Sequence, residues 1–294
     1  MPKPVMLTAD STCDLGAELT ARYNVALMPI HITYGETSYD DGVDILPDEL
    51  YKRFYDNGEL PKTAAINVAE YVDFFTPFIT KGFDVVHIGL GGALSCCSAN
   101  AVIAAGELAE ANAADDSVGR VHALDSFNLS TGSGMLVIEA AERIAAGMPA
   151  ERVADEICAL RGKVQSSFVL ETLKFMVAGG RCSSLAAFGA NLLGLKPSIR
   201  VDNTTGGMGV DKKYRGNMEK VLPEYIADQF DRFKDINPRR AFITHSGVDD
   251  GLIRLVREAI ESRGVFDEIF VTRAGCTISS HCGPGTLGLL FMTN

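Results

Sequence analysis

The first half of the sequence alternates short apolar runs with helix-length segments, and this alternation limits the fold more than any other feature. Each apolar run is rich in residues that favour buried strands. Strands separated by helices are joined by crossover connections, which place neighbouring strands parallel and cover both faces of the sheet. The runs are VMLTADS (5–11), VALMPIHITY (25–34), FDVVHIGL (83–90) and RVHALDS (120–126).

The pattern changes after a connecting helical segment at 149–164. The turn-rich stretch NTTGGMG (203–209) separates two strand-like segments and predicts an antiparallel pairing. The sequence therefore predicts an α/β protein of two domains. Residues 1–163 form a Rossmann-like parallel sheet flanked by helices, and residues 164–294 form an α+β domain with a mixed or antiparallel sheet.

The charge balance excludes some classes of partner. The net charge is −11, with 27 Lys and Arg against 38 Asp and Glu. An acidic chain without a basic run argues against nucleic acid or anionic membrane as the main partner. The uncharged stretch 85–106 is long enough to span a bilayer. Its glycines and polar residues favour a strand, a turn and a buried helix instead, so we expect no transmembrane segment.

The N-terminal apolar run is too short for a secretory signal, which favours a cytoplasmic protein with reduced thiols. None of the seven cysteines forms a C-x-x-C pair or has zinc-site spacing, so no metal site is expected. The segment GLGGAL (89–94) matches G-x-G of a dinucleotide fingerprint, but Leu94 takes the place of the third glycine. No phosphate-binding P-loop motif occurs either, and we predict no cofactor.

Two segments carry groups that could act chemically. HIGLGGALSCCSANA (87–101) joins a strand to a helix and contains Ser95, Cys96 and Cys97. SHCGPGTLG (280–288) places His281 beside Cys282. A thiol nucleophile activated by the histidine is one interpretation. The other is a tight turn with buried thiols, and these stretches alone leave both open.

The order of the segments resembles the DegV family of bacterial fatty-acid-binding proteins over nearly the whole chain. Each similar segment is short, but all stand in the same order as in that family. The segments are TADSTCDL (8–15), PKTAAINVAEY (61–71), HIGLGGALSCCSANA (87–101), VLETLKFMVAGGRCSSLAAFGANLLGLKPSI (169–199), YRGNMEKVL (214–222) and SSHCGPGTLGLLF (279–291).

The resemblance implies a site. A long acyl chain would lie in a tunnel between the two domains, lined in part by AAFGANLLGL (186–195). Thr63 and Ser95 match the residues that hold the carboxylate. Ser95 lies where a strand leads into a helix, a position that favours anions. The residues that match positions at the pocket mouth, facing a kinase, are Arg181, Arg215 and His281. The sequence departs from the family at Cys96 and Cys97, where glycine and threonine are usual.

The resemblance also implies a function without catalysis by this chain. Such a carrier presents the carboxylate of its fatty acid to a separate ATP-dependent fatty acid kinase, and the acyl phosphate then feeds phospholipid synthesis. One-to-one delivery suggests a monomer. The alternative is an acyl-group hydrolase or transferase, in which Cys96, Cys97 or Cys282 would attack an acyl group with the help of His281.

Overall fold

The computed structural model describes residues 3–183 and 194–294. The helices of this part are α1 (Gly16–Arg22), α2 (Pro47–Asn57), α3 (Val68–Ile79), α4 (Cys97–Ala111), α5 (Thr131–Ala145), α6 (Ala150–Leu160), α7 (Lys174–Gly179), α8 (Met218–Arg232), α9 (Asp250–Glu261) and α10 (Cys276–Cys282). The strands are β1 (Val5–Asp10), β2 (Val25–Met28), β3 (His31–Tyr34), β4 (Thr37–Asp40), β5 (Lys62–Ala64), β6 (Asp84–Gly89), β7 (Val121–Asp125), β8 (Val164–Val169), β9 (Leu195–Val201), β10 (Met208–Arg215), β11 (Ile236–Ser246), β12 (Glu268–Arg273) and β13 (Thr286–Thr293).

The predicted parallel sheet is confirmed. Its strand order is β2-β1-β6-β7, and each neighbouring pair is parallel. Successive residues of β6 point to opposite faces, because Val85 joins a core cluster with α3 and α4 while Val86 joins another with α5 and α6. Burial on both faces explains why these strands are almost wholly apolar.

The prediction of one continuous strand over residues 25–34 is wrong in part. The run 25–34 is divided between β2 and β3, since Pro29 has no N–H to donate to a ladder. The strand β3 leaves the parallel sheet and forms a separate three-stranded antiparallel sheet in the order β4-β3-β5. Within it, Ile32 pairs with Thr63. Thr63 therefore lies on β5, an edge strand of this small sheet.

The second half contains the predicted mixed sheet. Its order is β10-β9-β8-β13-β11-β12, and among these pairs only β11 and β12 run parallel. The NTTGGMG segment forms the β9–β10 hairpin turn, where Gly206 has a φ of +75°. Glycine accepts this left-handed conformation without steric cost.

Buried side chains join the two halves. Phe168 and Ile199 of the mixed sheet belong to the same core cluster as Tyr71 and Leu90, and Phe242 packs into the cluster around α5. The division between residues 163 and 164 therefore stays a prediction. In the described part of the chain, no helix is long and apolar enough to cross a membrane.

Candidate functional site

A cavity of about 110 Å³ lies where the two halves of the fold meet. Its walls come from β5, the loop between β6 and α4, α7, β10 and α10. Most of its wall is apolar, but it contains four of the five residues that the sequence predicts for the site. These four are Thr63, Ser95, Arg181 and His281.

Ser95 is positioned by the loop that follows β6. The amides of Leu94 and Ser95 both donate to the carbonyl of Gly91, at 2.9 and 3.3 Å. The amide of Gly91 in turn donates to the carbonyl of Asn128 at 2.8 Å. A side chain at position 91 would lie only 2.9 Å from that carbonyl oxygen, so the close approach requires glycine. The loop holds Ser95 at the cavity wall.

Thr63 and His281 meet although Thr63 lies on strand β5 of the first half and His281 on helix α10 of the second half. The Oγ1 atom of Thr63 lies 2.9 Å from Nε2 of His281. In the tautomer that carries its hydrogen on Nε2, the histidine donates to the threonine oxygen. Thr63 then keeps its own hydroxyl hydrogen for a ligand in the cavity.

Two acidic side chains from the first half fix the helix that carries His281. Asp14 accepts a hydrogen bond from the amide of Gly275 at 2.8 Å. Asp41 accepts from the amide of Cys276 at 2.7 Å and from the Thr277 hydroxyl at 2.7 Å. The first amides of a helix have no partner within it, so these two acidic side chains cap α10 from outside. Burial raises the pKa of Asp14 to about 8.

The imidazole of His281 is neutral at physiological pH. Burial, and secondly the positive charge of Arg181, lower the pKa of His281 to about 4. Its Nδ1 atom is buried and has no hydrogen-bond partner among the described residues. A Cβ at Gly179 would overlap Nδ1, so the end of α7 approaches the ring closely only because residue 179 is glycine. Two residues of the G-G-R stretch at 179–181 thus act on His281: Gly179 leaves room for the ring, and the charge of Arg181 helps to lower its pKa.

Arg181 and Arg215 differ in their relation to the cavity. Arg181 is an exposed residue that lines it, and its guanidinium donates to the carbonyls of Gly179 at 2.7 Å and Leu94 at 3.4 Å. Arg215 is the exposed last residue of β10 and is not among the residues that line the cavity. Its place at the pocket mouth stays a prediction.

The sequence also predicts that residues 186–195 line a tunnel for the acyl chain. Most of this segment, 186–193, lies outside the described residues.

Cys97 and Cys282 are poorly suited to nucleophilic attack. Cys97 is fully buried, and burial together with the charge of Asp10 raises its pKa to about 11. Burial also raises the pKa of Cys282. A reactive cysteine needs a lowered thiol pKa. Cys96, by contrast, is exposed at the cavity wall.

A second cavity of about 20 Å³ borders the first. Leu129, Ile278 and Cys282 line both of them. The second cavity extends toward Phe168 and Leu290 of the mixed sheet. The apolar interior thus continues inward from the polar end of the site, past these three shared side chains.

Metal-ligating side chains do not cluster in the part of the chain that the structure describes. Within residues 3–183 and 194–294, no group of three or more His, Cys, Asp or Glu residues is arranged to hold a metal ion. Besides two thiols, the described polar side chains of the cavity carry hydroxyls, one imidazole and one guanidinium, and these three kinds of donor suit an oxyanion.

The fold is that of an α/β protein of two main sheets, with an internal, mostly apolar cavity whose wall includes several polar side chains. The model of the DegV family, described as uncharacterised protein, matches residues 4–294. The chain belongs to the DegV family.

Similar proteins support the same assignment. A DegV domain-containing protein of Clostridium perfringens is 29% identical over 288 residues, which cover 98% of each chain. A fatty-acid-binding DegV family protein from Thermus thermophilus has a solved structure that is 28% identical, covers 100% of both chains and superimposes with a TM-score of 0.87. The structure of DegV from Bacillus subtilis, a fatty acid binding protein, is 23% identical and covers 99% of this chain and 100% of its own, with a TM-score of 0.83.

Proposed function

We propose that this protein binds a long-chain fatty acid, with the carboxylate at the polar end of the cavity and the acyl chain along its apolar wall. The observation that carries the proposal is that Thr63, Ser95, His281 and Arg181 line one mostly apolar cavity, in which Thr63 and His281 are in contact. The similar protein from Thermus thermophilus is described as binding a fatty acid, which supports the same ligand here.

The two ends of the ligand contribute differently. Burial of each CH₂ group stabilises the complex by about 0.8 kcal/mol, so a sixteen-carbon chain contributes on the order of 10 kcal/mol before ordering costs. Each hydrogen bond to the carboxylate adds about 1.5–3 kcal/mol. The acyl chain therefore provides most of the affinity, and the head-group residues set the direction in which the acid enters.

Two measurements test fatty-acid binding. Native mass spectrometry of the purified protein should reveal a copurified fatty acid. After delipidation, palmitic, stearic or oleic acid should raise the thermal unfolding temperature, because a ligand that binds only the folded state stabilises it. Delipidated protein that none of the three acids stabilises would contradict the proposal.

The protein's role is that of a carrier that presents the carboxylate to an ATP-dependent fatty acid kinase, which makes an acyl phosphate for phospholipid synthesis. Arg181 supports this role, since it is an exposed cation at the wall of the site. Arg215, also exposed, would contact the kinase. We place this role in the cytoplasm and assign it to a monomer.

Reconstitution tests the carrier role. The loaded protein, a bacterial fatty acid kinase and ATP should yield acyl phosphate, detected with hydroxylamine, while either protein alone yields none. Arg181→Ala and Arg215→Ala should lower this rate, and Arg263→Ala, a change at an exposed arginine of the 262–267 loop, serves as the control. Acyl phosphate formed by the kinase alone at the same rate would refute the carrier role.

A further inference from the structure

The imidazole of His31 lies between two carboxylates, one at each ring nitrogen. Its Nδ1 atom is 2.9 Å from Oδ1 of Asp40, and its Nε2 atom is 2.8 Å from Oε1 of Glu70. An ionised carboxylate only accepts hydrogen bonds, so both contacts are hydrogen bonds only when both ring nitrogens carry a hydrogen. This geometry therefore requires the imidazolium cation. In the neutral ring, one nitrogen would face a carboxylate oxygen with no hydrogen between them.

Glu70 connects His31 to the segment that follows Thr63. The second oxygen of Glu70 accepts from the amide of Asn67 at 2.8 Å, and the Asn67 side chain accepts from the amide of Glu70 at 3.0 Å. This capping box fixes the start of α3. On the other side of the connection, the backbone of His31 pairs with Ala64, the neighbour of Thr63 in β5. The backbone and the side chain of His31 thus hold both ends of the connection between β5 and α3.

Asp40 connects His31 to the segment that positions His281. Asp40 pairs with His31 across β3 and β4, and the next residue is Asp41. The amide of Asp41 donates to the carbonyl of Ile30 at 3.0 Å, and its side chain caps α10, the helix that carries His281. The two carboxylates around His31 therefore lead to the two partners of the contact in the cavity.

The charges around His31 favour its protonated form. Burial lowers the pKa of His31, but the hydrogen bonds and charges of Glu70 and Asp40 outweigh burial and raise the pKa above its usual value. Among the described residues, these two carboxylates are the charges with the largest effect on the ring. The strand β5 adds Lys62, which pairs with Thr33 of β3, and α10 adds His281, which is neutral.

We infer that His31 is a positioning residue of the head-group site. As a cation, it ties the segment of Thr63 to the segment that positions His281. Loss of the proton turns one of its two hydrogen bonds into a contact between two acceptors, so the affinity for fatty acids should fall as the pH rises. The inference deepens the proposed function and depends on it, since it concerns the same head-group site.

Calorimetric titration of delipidated protein with palmitic acid, from pH ~6 to pH ~9, tests the inference. His31→Gln removes the charge and should weaken binding about fivefold at the acidic end, a modest effect because ion pairs of partly exposed side chains are weak. The difference from the wild type should shrink toward the alkaline end, where the wild type loses its own cation. His31→Arg keeps a permanent cation with several donors, and its 23% exposed position leaves room for the longer side chain. This variant should bind as the wild type does at acidic pH and more tightly than the wild type at alkaline pH.

The ratio of wild-type to variant affinity separates His31 from other groups that titrate in this range. The carboxyl of the ligand and Asp14, with a pKa of about 8, are common to all these proteins. His122→Gln is the matched control, because His122 is a half-buried histidine of β7 outside the cavity wall.

The outcomes separate the inference from the proposed function. A merely structural role of His31 gives a ratio that does not change with pH, and that result would overturn the inference. A ratio within twofold of unity at pH ~6 would overturn it as well. Wild-type protein that binds palmitic acid at no pH would overturn the proposed function, and the inference with it.

A spectroscopic measurement on the wild type applies even where His31→Gln fails to fold. Long-range ¹H–¹⁵N spectra report the protonation of the imidazole nitrogens, and the His31 signals are those that His31→Arg lacks. At pH ~6.5, where an unperturbed histidine is half protonated, His31 should be mainly the cation, with hydrogen on both nitrogens. A neutral His31 ring at that pH would contradict the inference.

Discussion

The hydroxyl of Thr63 lies 2.9 Å from the imidazole of His281, although 218 positions separate the two residues in sequence. Thr63 belongs to β5 of the small antiparallel sheet, and His281 belongs to a helix of the second half. Neither residue is distinctive in its own segment. Their contact closes the polar end of the cavity, and it ties the head-group site to the packing of the two halves.

The two hydroxyls provide the first prediction. Thr63→Val combined with Ser95→Ala removes the two hydroxyls assigned to the carboxylate and leaves the apolar wall of the cavity almost unchanged. Each lost bond to the carboxylate costs about 1.5–3 kcal/mol, so the loss of both should lower the affinity for palmitic acid by about a hundredfold or more. Calorimetric titration measures the loss, and a thermal unfolding scan without ligand checks the fold. Unchanged affinity would place the carboxylate elsewhere.

The lowered pKa of His281 predicts a pH dependence of stability. Its pKa is about 4 in the folded state and about 6.5 when unfolded, so the unfolded chain binds the proton first as the pH falls. The contribution of His281 to the free energy of unfolding is fully present above pH ~6.5 and is lost progressively toward pH ~4. Urea unfolding of ligand-free wild type and His281→Gln at several pH values should show the difference between them shrinking across this range. A constant difference would mean that His281 is not held neutral.

A substitution at Gly179 tests whether the position of His281 matters for binding. Only a residue without a side chain leaves room there for the His281 ring. Gly179→Ala should displace the imidazole from Thr63 and lower the affinity for palmitic acid about tenfold, the effect of ~1.4 kcal/mol. Gly162→Ala is a matched control, since a Cβ at that position meets no atom within 4 Å. Equal affinities of the two variants would show that the contact with His281 is dispensable.

These residues show how far sequence reasoning reaches. The alternation of strands and helices predicts the parallel sheet, because that pattern is local. Gly179, Asp14 and Asp41 act through contacts with segments far along the chain, and local patterns do not contain such contacts. The acidic segment at 38–45 is visible in the sequence. Its role as an external cap of α10 follows only from the folded arrangement.

Asp41 leads to a prediction about stability. Asp41→Asn replaces an acceptor-only carboxylate with an amide that presents hydrogens to the Thr277 amide and hydroxyl. Unpaired buried donors cost about 1–3 kcal/mol, and the free energy of unfolding should fall by that amount. Asp116→Asn, at an exposed site, should change it by less than ~0.5 kcal/mol. Urea unfolding compares the two, and equal stabilities would show that the external cap is not needed.

Ile278 lines both cavities, and its size should control the length of acyl chain that the protein accepts. Ile278→Phe places a larger side chain at their junction, so a long chain can no longer pass from the first cavity to the second. The affinity for stearic acid should fall about tenfold or more, since several CH₂ groups at about 0.8 kcal/mol each lose their burial. The affinity for lauric acid, whose shorter chain ends nearer the head-group site, should fall much less.

The control for this change is Ile278→Leu, which keeps the volume of the side chain and should bind both acids as the wild type does. Competition titrations with the two acids give the ratio of affinities for each variant. If Ile278→Phe weakens both acids equally, the acyl chain does not run toward the second cavity. If only the affinity for stearic acid falls, the acyl chain runs from Ser95 past Ile278 into the second cavity, next to the mixed sheet.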